Sequence, residues 1–118
     1  MAKFLFVLSA GLSNSNSPTR CFQFAQIAHQ EGHEVNIFLI DEGVVFARKG
    51  MTQNIIAPTG EEMDAAMHYI LNEKIPLYVC TPCARTRGVT EDILVEGAQY
   101  GTGKILISLA PDSKVFNF

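Results

Sequence analysis

Basic residues are scarce. The 118-residue chain has nine lysines and arginines against twelve aspartates and glutamates, a formal net charge of -3. A nucleic-acid partner, which would need a basic face, is therefore not expected. Long apolar runs are missing too. None approaches the roughly 20 residues that span a bilayer, so no membrane partner is expected. The opening Met1-Ala-Lys-Phe-Leu-Phe-Val-Leu-Ser-Ala-Gly has the lysine and apolar run of a signal peptide. That run is short and ends in a Gly/Ser/Asn loop, as a first strand would, so it is assigned to the fold. Cysteines number only three. They cannot all pair within one chain, which argues against a disulfide framework and for a reducing cytoplasm. One Cys-x-x-Cys with no second Cys or His pair supplies half the ligands of a structural zinc, so no metal site is expected. Repeats, low-complexity tracts and linkers are also missing. At this length the chain reads as a single domain over residues 1–118.

Apolar residues, in contrast, are plentiful at 47%, with charged residues at only 18%. A real core follows, with apolar surface left that could be buried between subunits. Phe4 to Leu8 is apolar without alternation, as in a strand covered on both faces. After the polar loop Ser9–Ser17, Ser17-Pro18 predicts a helix start, serine capping and proline in the first turn. Cys21, Phe24, Ala25 and Ala28 recur on one helical face, and Gly32 closes the helix. Val35 to Ile40 predicts a second strand, Asp41 to Ala47 a short helix, and Arg48 to Pro58 a loop. Thr59-Gly-Glu-Glu62 matches a capping box. Met63, Ala66, Met67, Ile70 and Leu71 make the helical stripe that follows. Pro76 to Val79 is a third strand, ending at Cys80. Thr90-Glu-Asp92 predicts a helical turn, Leu94 to Gln99 a fourth strand and Lys114 to Phe118 a closing one. Gly103 to Ala110 has strand-like composition at Ile105-Leu-Ile107, yet a parallel neighbour needs a crossover and so favours a helix.

Alternating strands and helices predict a three-layer α/β/α sandwich on a mostly parallel sheet of about five strands. In such sheets chemistry gathers beyond the carboxyl ends of the strands. The loops Ser9–Ser17, Asp41–Ala47 and Cys80–Gly88 should therefore share one edge.

The chemistry-bearing stretch is Val79-Cys80-Thr-Pro-Cys83-Ala-Arg85-Thr-Arg87-Gly88-Val89. A thiol reacts as its thiolate. Cys80 would stand at a helix start, whose free amides carry partial positive charge. Arg85 and Arg87, if turned back toward the sulfur, would add to it. The plain alternative is a buried, inert cysteine. Cys83 has three readings: it resolves a bond to Cys80, accepts sulfur in its turn, or packs as a small residue. Cys21 reads as core, and His29, His33 and His68 as packing or solvated residues. The loop carrying Gly11 and Ser13 has the small residues of an anion cradle, and would suit a flavin or nucleotide phosphate. Two motifs fail. Gly101-Thr-Gly-Lys104 lacks the glycine spacing and the Ser or Thr of a P-loop. Asp41 follows the second strand without the acidic pair after the first that a receiver-type phosphorylation site has.

Three blocks are similar to the DsrE/DsrF-like family, which includes the TusD sulfur-relay proteins. They are Cys21-Phe-Gln-Phe-Ala-Gln-Ile-Ala-His-Gln-Glu-Gly-His33-Glu-Val, Phe38-Leu-Ile-Asp-Glu-Gly-Val44, and the cysteine stretch, which is the most specific. Asp112-Ser-Lys-Val-Phe-Asn-Phe118 resembles the family's closing strand. The resemblance implies a small three-layer α/β fold assembled as a homo-oligomer, trimer or hexamer, and a helix over Gly103–Ala110. It further implies a persulfide carried on Cys80 and passed between donor and acceptor proteins; no cofactor is expected. Cys83 departs from the relay pattern, in which a small residue often stands there. Sulfur relay is thus the leading expectation, beside a nucleotide- or flavin-binding module and a non-catalytic oligomeric interaction protein.

Overall fold

The computed structural model describes residues 1–14 and 16–118. The unbroken apolar runs become strands because a central parallel strand is covered on both faces. The elements are β1 (Lys3–Leu8), α1 (Ser17–Gln30), β2 (Glu34–Leu39), a 3-10 segment (Asp41–Ala47), α2 (Met63–Asn72), β3 (Leu77–Cys80), α3 (Thr81–Thr86), a 3-10 turn (Glu91–Ile93), β4 (Ala98–Gly101), α4 (Gly103–Leu109) and β5 (Lys114–Asn117). The strands form one sheet in the order β4-β3-β2-β1-β5. All four pairings are parallel.

The register assigns the side chains to two faces. Phe6 pairs with Ile37 and Leu8 with Leu39, on the face that meets α1. Leu5, Phe38 and Tyr78 point the other way, where Phe38 and Tyr78 approach Gly101 and Ile105 of α4. The core is closed by Cys21, Phe22 and Ala25 of α1 and by Met63, Ala66, Met67 and Ile70 of α2. The helical stripe of α2 is thus borne out, with Leu71 at its half-buried margin. Phe24 is not on the core face. It is 44% exposed and meets Phe118 edge-on. The helix reading of Gly103–Leu109 holds against its composition, because β4 and β5 lie on opposite edges and the link between them must cross the sheet.

Three local expectations are corrected. Ser17 is inside α1 rather than capping it. Asn14 Oδ1 accepts the amides of Asn16 and Ser17, both at 2.9 Å. Asn14→Ala should therefore cost about 0.5–2 kcal/mol in urea unfolding, while Ser17→Ala costs less. Equal losses in the two variants would overturn that assignment.

The capping box does not form. Ile56 and Glu62 pair as an antiparallel bridge, so the chain turns back before the helix. Met63 N–H donates to Ile55 O at 2.9 Å, which satisfies the helix start from the backbone. Thr59 and Arg20 both bond Glu61 instead, and Arg20 first, then Thr59, lowers the Glu61 carboxyl.

The fourth strand begins four residues late, at Ala98. Leu94 is drawn away by an antiparallel bridge to Arg48, and Val95 N–H donates to Ala47 O at 2.8 Å. The segment that looks like a strand by composition is thus used to hold the 3-10 segment. The helix end at Gly32 is as expected, with a positive φ and the two backbone bonds of a Schellman turn to His29 O and Ala28 O.

Cys21 is fully buried, and burial pushes its thiol far up. The unfolded thiol titrates near pH 8.5, so this contribution is complete below that pH and lost as pH rises above it. Stability should then fall by up to about 1.4 kcal/mol per pH unit per such thiol. Urea unfolding between about pH 8.5 and 10 should show a shallower slope for Cys21→Ala than for the wild type. Parallel slopes would show that Cys21 is not responsible.

Candidate functional site

The carboxyl ends of β1, β2 and β3 meet at one sheet edge, as the topology requires. Ile40 N–H donates to Leu8 O at 2.9 Å, so β2 exits tight against β1. Gly43 then presses onto the end of β1. A Cβ there would lie 2.3 Å from Leu8 O, so any side chain would push the 3-10 segment off the sheet. That segment is anchored by Val44, Phe46 and Ala47, all buried, with Phe46 edge-on to Phe22 of α1.

Cys80 is the last residue of β3 and the residue from which α3 departs. It is 6% exposed, whereas Cys83 is half-buried. All three cysteines are free thiols. Pro82 falls in the first turn of α3, where its missing N–H leaves no bond unmade. The helix stops at Gly88, whose positive φ closes a second Schellman turn: Val89 N–H donates to Ala84 O at 2.9 Å. Thr81 Oγ1 donates to Gly101 O, and Tyr100 Oη to Val89 O, so β4 holds both ends of α3.

The electrostatics differ from the expectation. The Cys80 thiol is pushed up. Burial is the largest cause, followed by contact with the Cys83 thiol; the Asp41 charge adds in the same direction, and the Cys83 amide opposes them. No arginine is among these causes. Arg87 donates to Cys83 O at 3.3 Å and to Thr86 Oγ1 at 3.1 Å. Arg85 lines a recess of about 320 Å³ with Thr81, Val89, Thr90, Glu91 and Tyr100. Two exposed cations bound to their own helix and recess do not offset the desolvation of a buried thiol.

Asp41, weighed from the sequence only as a phosphorylation site, joins the thiols instead. Its carboxylate Oδ1 accepts the Cys83 thiol at 3.9 Å, a long contact of the kind sulfur makes. Asp41 has a φ of 52°, a left-handed conformation that aspartate and asparagine tolerate better than most residues. The available signal was its place, directly after a parallel strand at the edge where Cys80 emerges. Gly11 is buried against Glu42, whose Oε2 would be 3.1 Å from a Gly11 Cβ. Ser13 is exposed on the turn beyond. An acidic side chain therefore lies beside the expected anion cradle, which disfavours a phosphate there. The histidines have packing roles or lie exposed: His29 bonds Tyr69 across α1 and α2, His33 accepts the Ala2 amide, and His68 is exposed beside Asp64. Among the described residues, no cluster of three or more metal-ligating side chains is present and no helix is long and apolar enough to cross a membrane.

The molecule is thus a five-stranded parallel α/β protein with a pair of thiols where its third strand meets a short helix. The DsrE/DsrF-like family model matches residues 2–118, and the chain belongs to that family. It is 32% identical over 111 residues to an uncharacterized protein of Methanocaldococcus jannaschii, covering 94% of each chain. It is 30% identical over 94 residues to the sulfurtransferase TusD of Klebsiella pneumoniae, covering 76% of this chain and 70% of that one. The crystal structure of the ychN protein from E. coli matches over 100% of both chains with a TM-score of 0.85 at 21% identity, a likeness of fold.

Proposed function

We propose that the chain is a cytoplasmic persulfide carrier: Cys80 takes a sulfane sulfur from a donor protein and yields it to an acceptor protein. The observation that carries this reading is the position of Cys80, a free thiol at a strand's carboxyl end in a chain related to a named sulfurtransferase. The Cys80 thiolate attacks the outer sulfur of a donor persulfide. The donor leaves as a thiolate, and a persulfide remains on Cys80. An acceptor thiolate then attacks that outer sulfur and Cys80 leaves as thiolate, so no net oxidation occurs. The Cys83 amide favours the anionic forms.

Arg85 and Arg87, exposed beside the thiols, would meet the donor or acceptor. Gly11 and Ser13 lie on the loop that leaves β1 at the same edge, and would border that contact. Assembly into a homo-oligomer, trimer or hexamer, is supported by exposed Phe24, Ile27, Val115 and Phe116 near the β5 edge and by Ile107 on α4. Loading the Cys83→Ser protein, which cannot form a Cys80–Cys83 disulfide, with glutathione persulfide, followed by intact mass, tests the carrier reading. Gain of one sulfur on Cys80 supports it. A protein that gains none, and whose Cys80 resists alkylation even at alkaline pH, is instead a non-catalytic interaction protein.

A further inference from the structure

Cys83 and Asp41 are not needed by a simple carrier, since one thiol can accept and surrender sulfur alone. They nevertheless stand at the same strand end. Asp41 Oδ1 accepts the Cys83 thiol at 3.9 Å, and Cys83 lies in the first turn of the helix that departs from Cys80. The two cysteines are held three residues apart across the start of α3, and Asp41 comes from a different element, the 3-10 segment that Gly43 seats on the sheet and Phe46 on α1.

We propose that the protein also releases its carried sulfur as sulfide, with Cys83 as the attacking thiol and Asp41 as the acceptor of its proton. This rests on the carrier reading of Cys80. Cys83 Sγ attacks Cys80 Sγ, the inner sulfur of the persulfide. The bond between inner and outer sulfur breaks, the Sγ–Sγ disulfide forms, and the outer sulfur leaves as hydrosulfide. The Cys83 proton passes to Asp41 and from there to the more basic leaving hydrosulfide. One persulfide and one thiol thus give one disulfide and hydrogen sulfide. The sulfane sulfur is reduced by two electrons, and the two cysteine sulfurs supply them. An external dithiol reductant returns the disulfide to two thiols and completes the cycle.

Such an arrangement has a direct consequence for partner choice. With an acceptor thiolate docked on the outer sulfur, transfer occurs and the dithiol stays reduced. Without one, the internal attack converts the sulfur to sulfide. Cys83 would then set how long the persulfide lasts.

The experiment mixes reduced protein with glutathione persulfide at neutral pH, without other reductant. Sulfide is trapped with a bimane reagent and the chain is weighed intact, with Cys80→Ser as the blank. The wild type should release sulfide in a one-to-one ratio with chains that have lost the mass of two hydrogens. Cys83→Ser should hold the extra sulfur and release no sulfide above the blank. Asp41→Asn keeps a residue suited to the left-handed backbone. Its release, normalised to the loaded fraction, should be slowed about 100-fold, the usual scale for loss of a positioned proton acceptor. Its rate should also depend more steeply on pH, because the thiolate must then form by solvent alone.

If wild type and Cys83→Ser retain sulfur equally, the inference is overturned while the carrier reading stands. If Asp41→Asn matches the wild type in rate and pH profile, the role of Asp41 is overturned. If no form gains sulfur on Cys80, both readings fall together.

Discussion

Replacing Cys80 by serine should abolish sulfur loading. With Cys83→Ser present throughout so that carried sulfur is retained, intact mass after treatment with glutathione persulfide should show no added sulfur for Cys80→Ser, whereas Cys21→Ser should load like its parent. The contrast follows from burial and placement. Cys21 is sealed in the core, and burial raises its thiol far above neutral pH. Cys80 keeps a small exposed fraction at the sheet edge and has an amide to support its anion. Its thiol is nonetheless raised, mainly by burial. At neutral pH little of it is thiolate, so the loading rate should climb about tenfold per pH unit from neutral up toward its titration. A rate that stays level over that range would contradict the direction assigned to Cys80. Equal sulfur gain by Cys80→Ser would remove Cys80 from the carrier role.

Phe46→Ala should be the most damaging of the single core changes that act on the site. Phe46 is 1% exposed and meets Phe22 of α1 edge-on. Removing a buried phenyl ring costs about 3–5 kcal/mol, and in a domain of this size that lowers the melting temperature by roughly 10–20 °C. Phe46 also fastens the segment that carries Asp41, so the same variant should loosen the contact between Asp41 and Cys83. Thermal unfolding by circular dichroism measures the first effect. Sulfide release per loaded chain at a temperature where the variant is still folded measures the second. A loss below about 1 kcal/mol would mean that the ring's space refills on relaxation, contrary to a closely packed core.

Much of the architecture is legible in residues that act locally or through short periods. Phe4–Leu8 declares a strand by an unbroken apolar run, Val35–Leu39 by a largely apolar one, and Met63, Ala66, Met67 and Ile70 declare one buried helical face. Where local chemistry competes with backbone pairing between distant segments, the reading fails. Thr59 and Glu62 have the spacing of a capping box, yet the bridge from Glu62 to Ile56 takes that stretch into a turn. Leu94 and Val95 have the composition of a strand, yet Arg48 and Ala47 claim their backbone bonds. The spacing of Phe24 suits the core face of α1, but the sheet beneath runs out at its β5 edge, where Phe118 meets it.

For the site, local pattern along the chain is enough to put a thiol at the end of the third strand, a second thiol in the short helix after it, and three loops together at that edge. Parallel topology forces such convergence, because every strand must exit on the same side. The charge around those thiols depends instead on contacts between distant elements. Arg85 and Arg87 lie close to Cys80 along the chain, but neither is among the groups that set its protonation. Asp41 lies 42 residues from Cys83 and is its contact. Burial and charge act through space, so their balance at a sulfur depends on which elements the fold brings against it and on how much water they exclude.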